Sequence, residues 1–296
     1  MSIPKDREYT KNTLVAEVQK EAVFKNFGRL IFPVNRGYWS GTTLKDLQLS
    51  WYSYINSEKT VEILNYMKRM ASLGNIIFYD IYTEAEKDAD PEKKNTGLFF
   101  FKGMAGAKFT ICNAGGGFAY VGAIHDSFPH ALELSKKGYN AFALIYRPNG
   151  YKACKDLARA IAFIFEHAKE LEIDTECYSL WGGSAGARMA ACLGSYGTAQ
   201  FDEKDLPRPG AVVMQYTGYS EYEYDDPPTF VCVGKSDYIA NWKTMQSRIN
   251  AMSSNGIDTE FHAYNGLPHG FGLGIGTVAE GWINDAIAFW ERQMKK

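Results

Sequence analysis

The run Gly182-Gly183-Ser184-Ala185-Gly186 constrains this chain more than any other feature. It lies between the apolar stretch Cys177-Tyr178-Ser179-Leu180-Trp181 and the small-residue run Ala187-Arg188-Met189-Ala190-Ala191-Cys192. That order reads as strand, sharp turn, helix. Glycines two positions either side of a serine let the backbone bend tightly enough to hold the serine hydroxyl exposed above a sheet, the arrangement called a nucleophile elbow. Because a pattern this short also arises by chance, it implies acyl-transfer chemistry only if the rest of the machinery is present.

A serine hydroxyl at its free pKa is a poor nucleophile and needs a histidine base, itself oriented by a carboxylate. Where a serine sits on such an elbow the chain order is serine, acid, histidine, which restricts the base to His262 or His269. His262 falls within the alternating stretch Thr259–Tyr264 and reads as a strand residue. His269 lies in Gly266-Leu267-Pro268-His269-Gly270-Phe271-Gly272, a loop just beyond that strand, and is the expected base. The expected acid is Asp237, at the end of the apolar strand Thr229-Phe230-Val231-Cys232-Val233-Gly234. Asp225 and Asp226 precede Pro227-Pro228 at the opposite end of that strand and read as solvated loop charges.

The tetrahedral oxyanion of such a reaction needs backbone donors, one following the nucleophile and another from an earlier loop. Ala185 supplies the first. The strand Lys108–Cys112 leads into Asn113-Ala114-Gly115-Gly116-Gly117-Phe118, where three glycines let the main chain approach a ligand, and Gly115 and Gly116 are the expected donors.

With these motifs in order, from about Phe99 to the C-terminus, the chain resembles an α/β-hydrolase of the acetyl esterase/lipase group. That group includes the hormone-sensitive-lipase-like esterases and bacterial acetylxylan and feruloyl esterases. The resemblance rests on the triple glycine, the Gly-Gly-Ser-Ala-Gly elbow, the Gly234-to-Asp237 acid turn and the His269-Gly270-Phe271 turn. It implies a mostly parallel eight-stranded sheet with helices on both faces and an N-terminal helical extension. One departure is Ala114, where lipase-like members carry a histidine that braces the loop, and this favours the carbohydrate-esterase branch. The resemblance also implies a structural pair between Arg147 and Asp156.

Reading along the chain, Asn75–Tyr82 and Gly97–Lys102 form an antiparallel opening. The strands Lys108–Asn113, Asn140–Arg147, Cys177–Gly182, Gly210–Tyr216, Thr229–Gly234 and Thr259–Asn265 then alternate with helices over Ser127–Lys137, Cys154–Leu171, Ala185–Gly194, Asn241–Asn255 and Val278–Lys295. The charged stretch Thr83–Asn95 reads as a solvated connection. Residues 75–296 are thus the expected catalytic core. Residues 1–74 are an extension packed on it, possible as a cap, with helices over Lys11–Asn26 and Glu58–Leu73. Its aromatics are expected either to bury themselves against the core or to contact substrate, with Trp39, Trp51 and Tyr52 the candidates.

The 296 residues are 46% hydrophobic and 15% aromatic, enough for a substantial core, and the net charge of −2 provides no field for nucleic acid or anionic lipid. No run reaches the ~20 apolar residues of a transmembrane helix, and Met1–Glu8 lack an apolar targeting core. A cytoplasmic enzyme is expected, secreted only if a signal peptide preceded this sequence. Five cysteines, Cys112, Cys154, Cys177, Cys192 and Cys232, read as reduced packing residues, and no metal or organic cofactor is expected. The expected function is a serine hydrolase cleaving short-chain esters, with acetylated oligosaccharides as the substrate class. A general carboxylesterase, an amide hydrolase such as a formamidase or small peptidase, and a catalytically silent binding module are the other readings. The sequence does not fix the oligomeric state.

Overall fold

The structure is a computed structural model and describes residues 8–296, so the first seven residues of the N-terminal extension lie outside the described residues. The chain opens with a short helix α1 (Val15–Gln19), strands β1 (Trp39–Ser40) and β2 (Gln48–Leu49), and helix α2 (Ser57–Ser72). It continues through β3 (Phe78–Tyr79), α3 (Glu84–Ala89), β4 (Gly97–Phe101), β5 (Lys108–Asn113), α4 (Ser127–Lys136), β6 (Asn140–Ile145), α5 (Gly150–Glu166) and α6 (Ala168–Leu171). Then come β7 (Asp174–Gly183), α7 (Ala185–Tyr196), β8 (Ala211–Gln215), β9 (Thr229–Gly234), α8 (Trp242–Ser254), β10 (Thr259–Tyr264) and α9 (Trp282–Gln293).

Eight strands form one sheet in the order β10-β9-β8-β7-β5-β6-β4-β3, with β3, β4 and β6 joined antiparallel and all other neighbours parallel. Strands β4, β6, β8 and β9 are buried along their whole length, which explains their continuous apolar sequences. The chain leaves β5 in one direction to make β6 and then crosses back to make β7 on the other side of β5. A crevice therefore opens at the carboxyl ends of β5 and β7, the switch point where ligands bind in open α/β sheets.

Several sequence expectations need correction. Lys11–Asn26 is not one helix, because α1 stops at Gln19 and single 3₁₀ turns follow at Ala22–Phe24 and Gly28–Leu30. The break is tertiary: the Glu21 carboxylate accepts from the Tyr9 hydroxyl and pairs with Lys68 on α2, and it also takes the Ala22 N–H. The first strand shrinks to Phe78–Tyr79 at the sheet edge. The helix expected over Cys154–Leu171 begins earlier and breaks at His167, and the last helix begins at Trp282 after Gly281, whose φ is +92°. The connection 83–95 is structured, with a capping box between Thr83 and Glu86, and its Asp90 reaches Arg147 at 2.6 Å. Asp226 is not a solvated charge but a buried partner of Arg248, whereas Asp225 is exposed beside Arg208.

One cluster of buried apolar side chains runs from Tyr9 to Trp290, so the residues before β3 share their core with the sheet. Among the described residues no helix is long and apolar enough to cross a membrane. The five cysteines carry no disulfide.

Arg147, two residues beyond β6, does pair with Asp156. Its guanidinium donates to the carboxylate at 2.6 and 3.0 Å and its backbone N–H at 2.7 Å, while the Tyr82 hydroxyl donates to the same carboxylate at 2.6 Å. Asp156 is fully buried, and deleting one member of such a pair leaves buried donors unmatched. Asp156→Ala is therefore expected to lower unfolding free energy by about 3–5 kcal/mol. Urea denaturation checks this, and a loss below about 1 kcal/mol would remove the pair from the stabilising set.

Candidate active site

The elbow forms because three backbone segments come closer than side chains would permit. A Cβ on Gly182 would lie 2.2 Å from the carbonyl carbon of Gly186, and one on Gly186 would lie 2.0 Å from the Asn113 carbonyl oxygen. Only glycine fits either position, so α7 starts directly against the ends of β7 and β5. Ser184 sits at the apex with φ +51° and ψ −114°, a conformation rare for a non-glycine residue, and its N–H is held by the Gln215 carbonyl at 2.9 Å. Although Ser184 occupies the N-cap of α7, its hydroxyl makes no capping bond. It lies instead 3.1 Å from His269 Nε2.

His269 follows β10 on its loop and is nearly buried, with Nδ1 2.7 Å from Asp237 Oδ2. Asp237 follows β9, and its side chain is fully buried. Its other oxygen, Oδ1, accepts the N–H groups of Ile239 and Ala240, each at 2.8 Å. These bonds fix the carboxylate in one orientation. The structure thus brings the three sequence candidates into one hydrogen-bonded line. His262 stays on β10 and contacts Glu260 at 2.7 Å.

The glycine loop starts beside the elbow, because Asn113 on β5 is in register with Gly182 on β7. Gly116 has φ +130°, and a Cβ there would lie 2.1 Å from the Tyr120 carbonyl oxygen. Gly115 must be corrected as an expected oxyanion donor, since its N–H is engaged by Asp126 Oδ2 at 2.8 Å. The N–H groups of Gly116 and Ala185 have no hydrogen-bond partner among the described residues. Ala114, where a bracing histidine was missing, is fully buried, and its carbonyl accepts the Tyr146 hydroxyl at 2.6 Å.

A cavity of about 300 Å³ opens over Ser184 and His269, lined also by Gly116, Gly117, Trp51, Tyr52 and Ile239. Two of the three aromatic candidates are therefore present. Trp39 is not: its ring packs on Phe32 at 5.8 Å, its N–H donates to the Pro33 carbonyl at 2.8 Å, and Arg36 covers it. The segment bearing Trp51 and Tyr52 is pinned to the core. Ser53 N–H donates to the Gly270 carbonyl at 2.9 Å, the Tyr120 hydroxyl donates to the Ser50 carbonyl, and the Tyr52 hydroxyl donates to Asp126 at 2.8 Å. His125 Nε2 lies 3.1 Å from the Ser53 carbonyl and 3.3 Å from that of Gly270, while burial holds its imidazole below the ordinary pKa. Burial also pushes the Tyr52 and Tyr216 hydroxyls well above the usual tyrosine range, so both remain protonated donors.

The sequence reading missed Asp126, Tyr216 and Ile239. Ile239 was accessible in principle, two residues beyond Asp237. Asp126 precedes a helix and reads as an ordinary cap.

The sheet, its switch point and the elbow define the α/β-hydrolase fold, and solved structures with this fold superpose on the chain. An esterase from the Planctomycetes species Thermogutta terrifontis, solved with propionate bound, gives a TM-score of 0.60 at 20% identity, covering 67% of this chain and 89% of its own. An acetyl ester-xyloside bifunctional hydrolase from Caldicellulosiruptor lactoaceticus gives 0.62 at 20% identity, with coverage of 73% and 95%. MGS-M1, an α/β hydrolase enzyme from a Medee basin deep-sea metagenome library, gives 0.57 at 21% identity, with coverage of 68% and 93%. Within the chain, residues 104–211 match the BD-FAE family model, a stretch that contains the glycine loop and Ser184 and ends before Asp237. No curated protein matches the chain.

Because any side chain at Gly116 collides with the Tyr120 carbonyl, Gly116→Ala is expected to displace the loop. If the loop supplies an oxyanion donor, the kcat for p-nitrophenyl acetate falls about 10²–10³-fold with KM little changed. A fully active Gly116→Ala enzyme would show that the loop carries no such donor.

Proposed function

We propose that the chain is a serine hydrolase of small carboxylic esters, with acetyl esters of carbohydrates as the substrate class. The observation that carries this reading is the hydrogen-bonded line Ser184–His269–Asp237 beneath a cavity lined by Gly116, whose N–H has no hydrogen-bond partner among the described residues. His269 Nε2 takes the Ser184 proton as Oγ attacks the ester carbonyl, and Asp237 holds Nδ1–H toward itself so that Nε2 is the accepting nitrogen. The N–H groups of Ala185 and Gly116 receive the oxyanion, aided by the positive end of α7. Collapse of this intermediate sends the proton from His269 to the departing alkoxide and leaves an acyl group on Ser184. Water then attacks that acyl group, His269 accepts its proton, and collapse returns a proton to Oγ as the carboxylic acid leaves.

Three features support a small acyl ester of a sugar. The cavity of about 300 Å³ lies at the lower limit of ligand pockets. The Thermogutta esterase was solved with propionate, and the Caldicellulosiruptor relative is named for acetyl ester hydrolysis. Trp51, on the cavity wall and 45% exposed, offers a ring face of the kind sugars stack on. The segment around Trp51 and Tyr52 acts in this reading as a fixed cap belonging to the N-terminal extension 1–74, set against the catalytic core 75–296.

Ser184→Ala is expected to fold and to lose about four to six orders of magnitude in esterase rate. Fluorophosphonate treatment followed by mass spectrometry should label Ser184, and labelling elsewhere would reject the assignment. Across p-nitrophenyl esters, kcat/KM is expected to fall steeply beyond butyrate, since each methylene in a filled apolar pocket discriminates by about 1–3 kcal/mol. Equal turnover of octanoate would overturn the small-acyl reading. Absence of acetate release from acetylated xylo-oligosaccharides would leave a general short-chain carboxylesterase.

A further inference from the structure

Asp126 is fully buried and is none of the reacting groups. It occupies the N-cap of α4, where an aspartate ordinarily accepts a first-turn N–H, yet its side chain makes no capping bond. The carboxylate is turned the other way. Oδ2 accepts the Gly115 N–H at 2.8 Å and the Tyr52 hydroxyl at 2.8 Å, while Oδ1 accepts the Tyr216 hydroxyl at 3.1 Å and lies 3.5 Å from His130 Nδ1. A buried carboxylate is tolerated only when donors surround it, and here they come from the N-terminal segment, the glycine loop and the residue after β8.

The elbow makes room for this group. A Cβ on Gly183 would lie 2.5 and 2.8 Å from the two Asp126 oxygens, so glycine immediately before Ser184 is what admits the carboxylate. The peptide it holds touches the nucleophile, since a Cβ on Gly115 would lie 2.9 Å from Ser184 Cβ. On the other side the Tyr216 ring packs edge-on against His269, with centroids 5.0 Å apart.

We propose that Asp126 is the positioning residue of this site. By accepting the Gly115 N–H it fixes the turn that carries the Gly116 N–H, and by accepting the Tyr216 hydroxyl it fixes the ring against which His269 rests. It touches no reacting atom and acts through these neighbours. The inference rests on the hydrolase reading above.

The test uses the full chain with p-nitrophenyl acetate as substrate, phenylboronic acid as a mimic of the tetrahedral intermediate, and thermal unfolding as the measure of fold. In Asp126→Ala, kcat is expected to fall about 10²-fold, the scale of one lost oxyanion donor, with KM within about threefold and boronate affinity falling in parallel. Asp126→Asn keeps one oxygen for the Gly115 N–H while the tyrosine hydroxyls can rotate, so it should restore kcat to within about tenfold of wild type. Should either substitution prevent folding, Tyr216→Phe removes one donor and leaves the carboxylate in place; a fall of about threefold or more in both kcat and boronate affinity supports the proposal. Folded variants with lowered melting temperatures but wild-type kcat and boronate affinity would overturn it. Ser184→Ala separates the two levels: turnover in that variant defeats the hydrolase reading, whereas an inactive Ser184→Ala beside fully active Asp126 and Tyr216 variants defeats this inference alone.

Discussion

The architecture of the site depends on one close approach of backbone to backbone, where Gly186 at the start of α7 meets the Asn113 carbonyl at the end of β5 and Gly182 meets Gly186. No side chain is tolerated at either glycine, and in exchange the helix terminus, Ser184 and the glycine loop are brought to one point. The strained φ of Ser184 follows from that geometry, as does the direction of its hydroxyl toward His269. Register does the rest. Asn113 opposite Gly182 and Gly183 opposite Gln215 align the ends of β5, β7 and β8, while β9 and β10 deliver Asp237 and His269 from the same edge.

What was legible in the sequence was whatever the backbone demands of residue type. The elbow glycines, the triple glycine and the loops after β9 and β10 announced themselves because tight turns admit few residues, and the structure places Ser184, Asp237 and His269 together. What stayed hidden were choices made by tertiary contact. Asp126 carries the signature of a helix cap and is used for something else, so its sequence position misleads. Trp39 and Trp51 look equivalent as letters, yet one is covered by Phe32 and Arg36 and the other stands at the cavity. Gly115 and Gly116 are likewise equivalent as letters, yet only the Gly115 N–H finds the carboxylate. The helix expected over Lys11–Asn26 failed for the same reason, because Glu21 is captured by Tyr9 and Lys68.

The N-terminal segment illustrates how a wall can be added to a site without a separate domain. Its apolar residues join the single core cluster, and its backbone is tied to the loop of His269 through Ser53 and Gly270. Trp51 and Tyr54, with φ of +68° and +59°, bend the chain where it crosses the crevice. Such conformations persist only where surroundings over-determine them, and here the Tyr52 hydroxyl, the Tyr120 hydroxyl and His125 supply that restraint.

The tether between Ser53 and Gly270 also bears on how the molecule comes into being. His269 meets Ser184 across 85 residues of chain, and His125 meets Gly270 across 145. Contacts this distant in sequence need both ends in hand, so a chain emerging from the ribosome carries Ser184 well before it carries His269. A nascent chain that stops short of residue 269 therefore lacks the histidine partner of Ser184. The Ser184–His269 contact thus joins a loop made near the end of synthesis to one made earlier, and the later loop is held in turn by a strap made near the beginning.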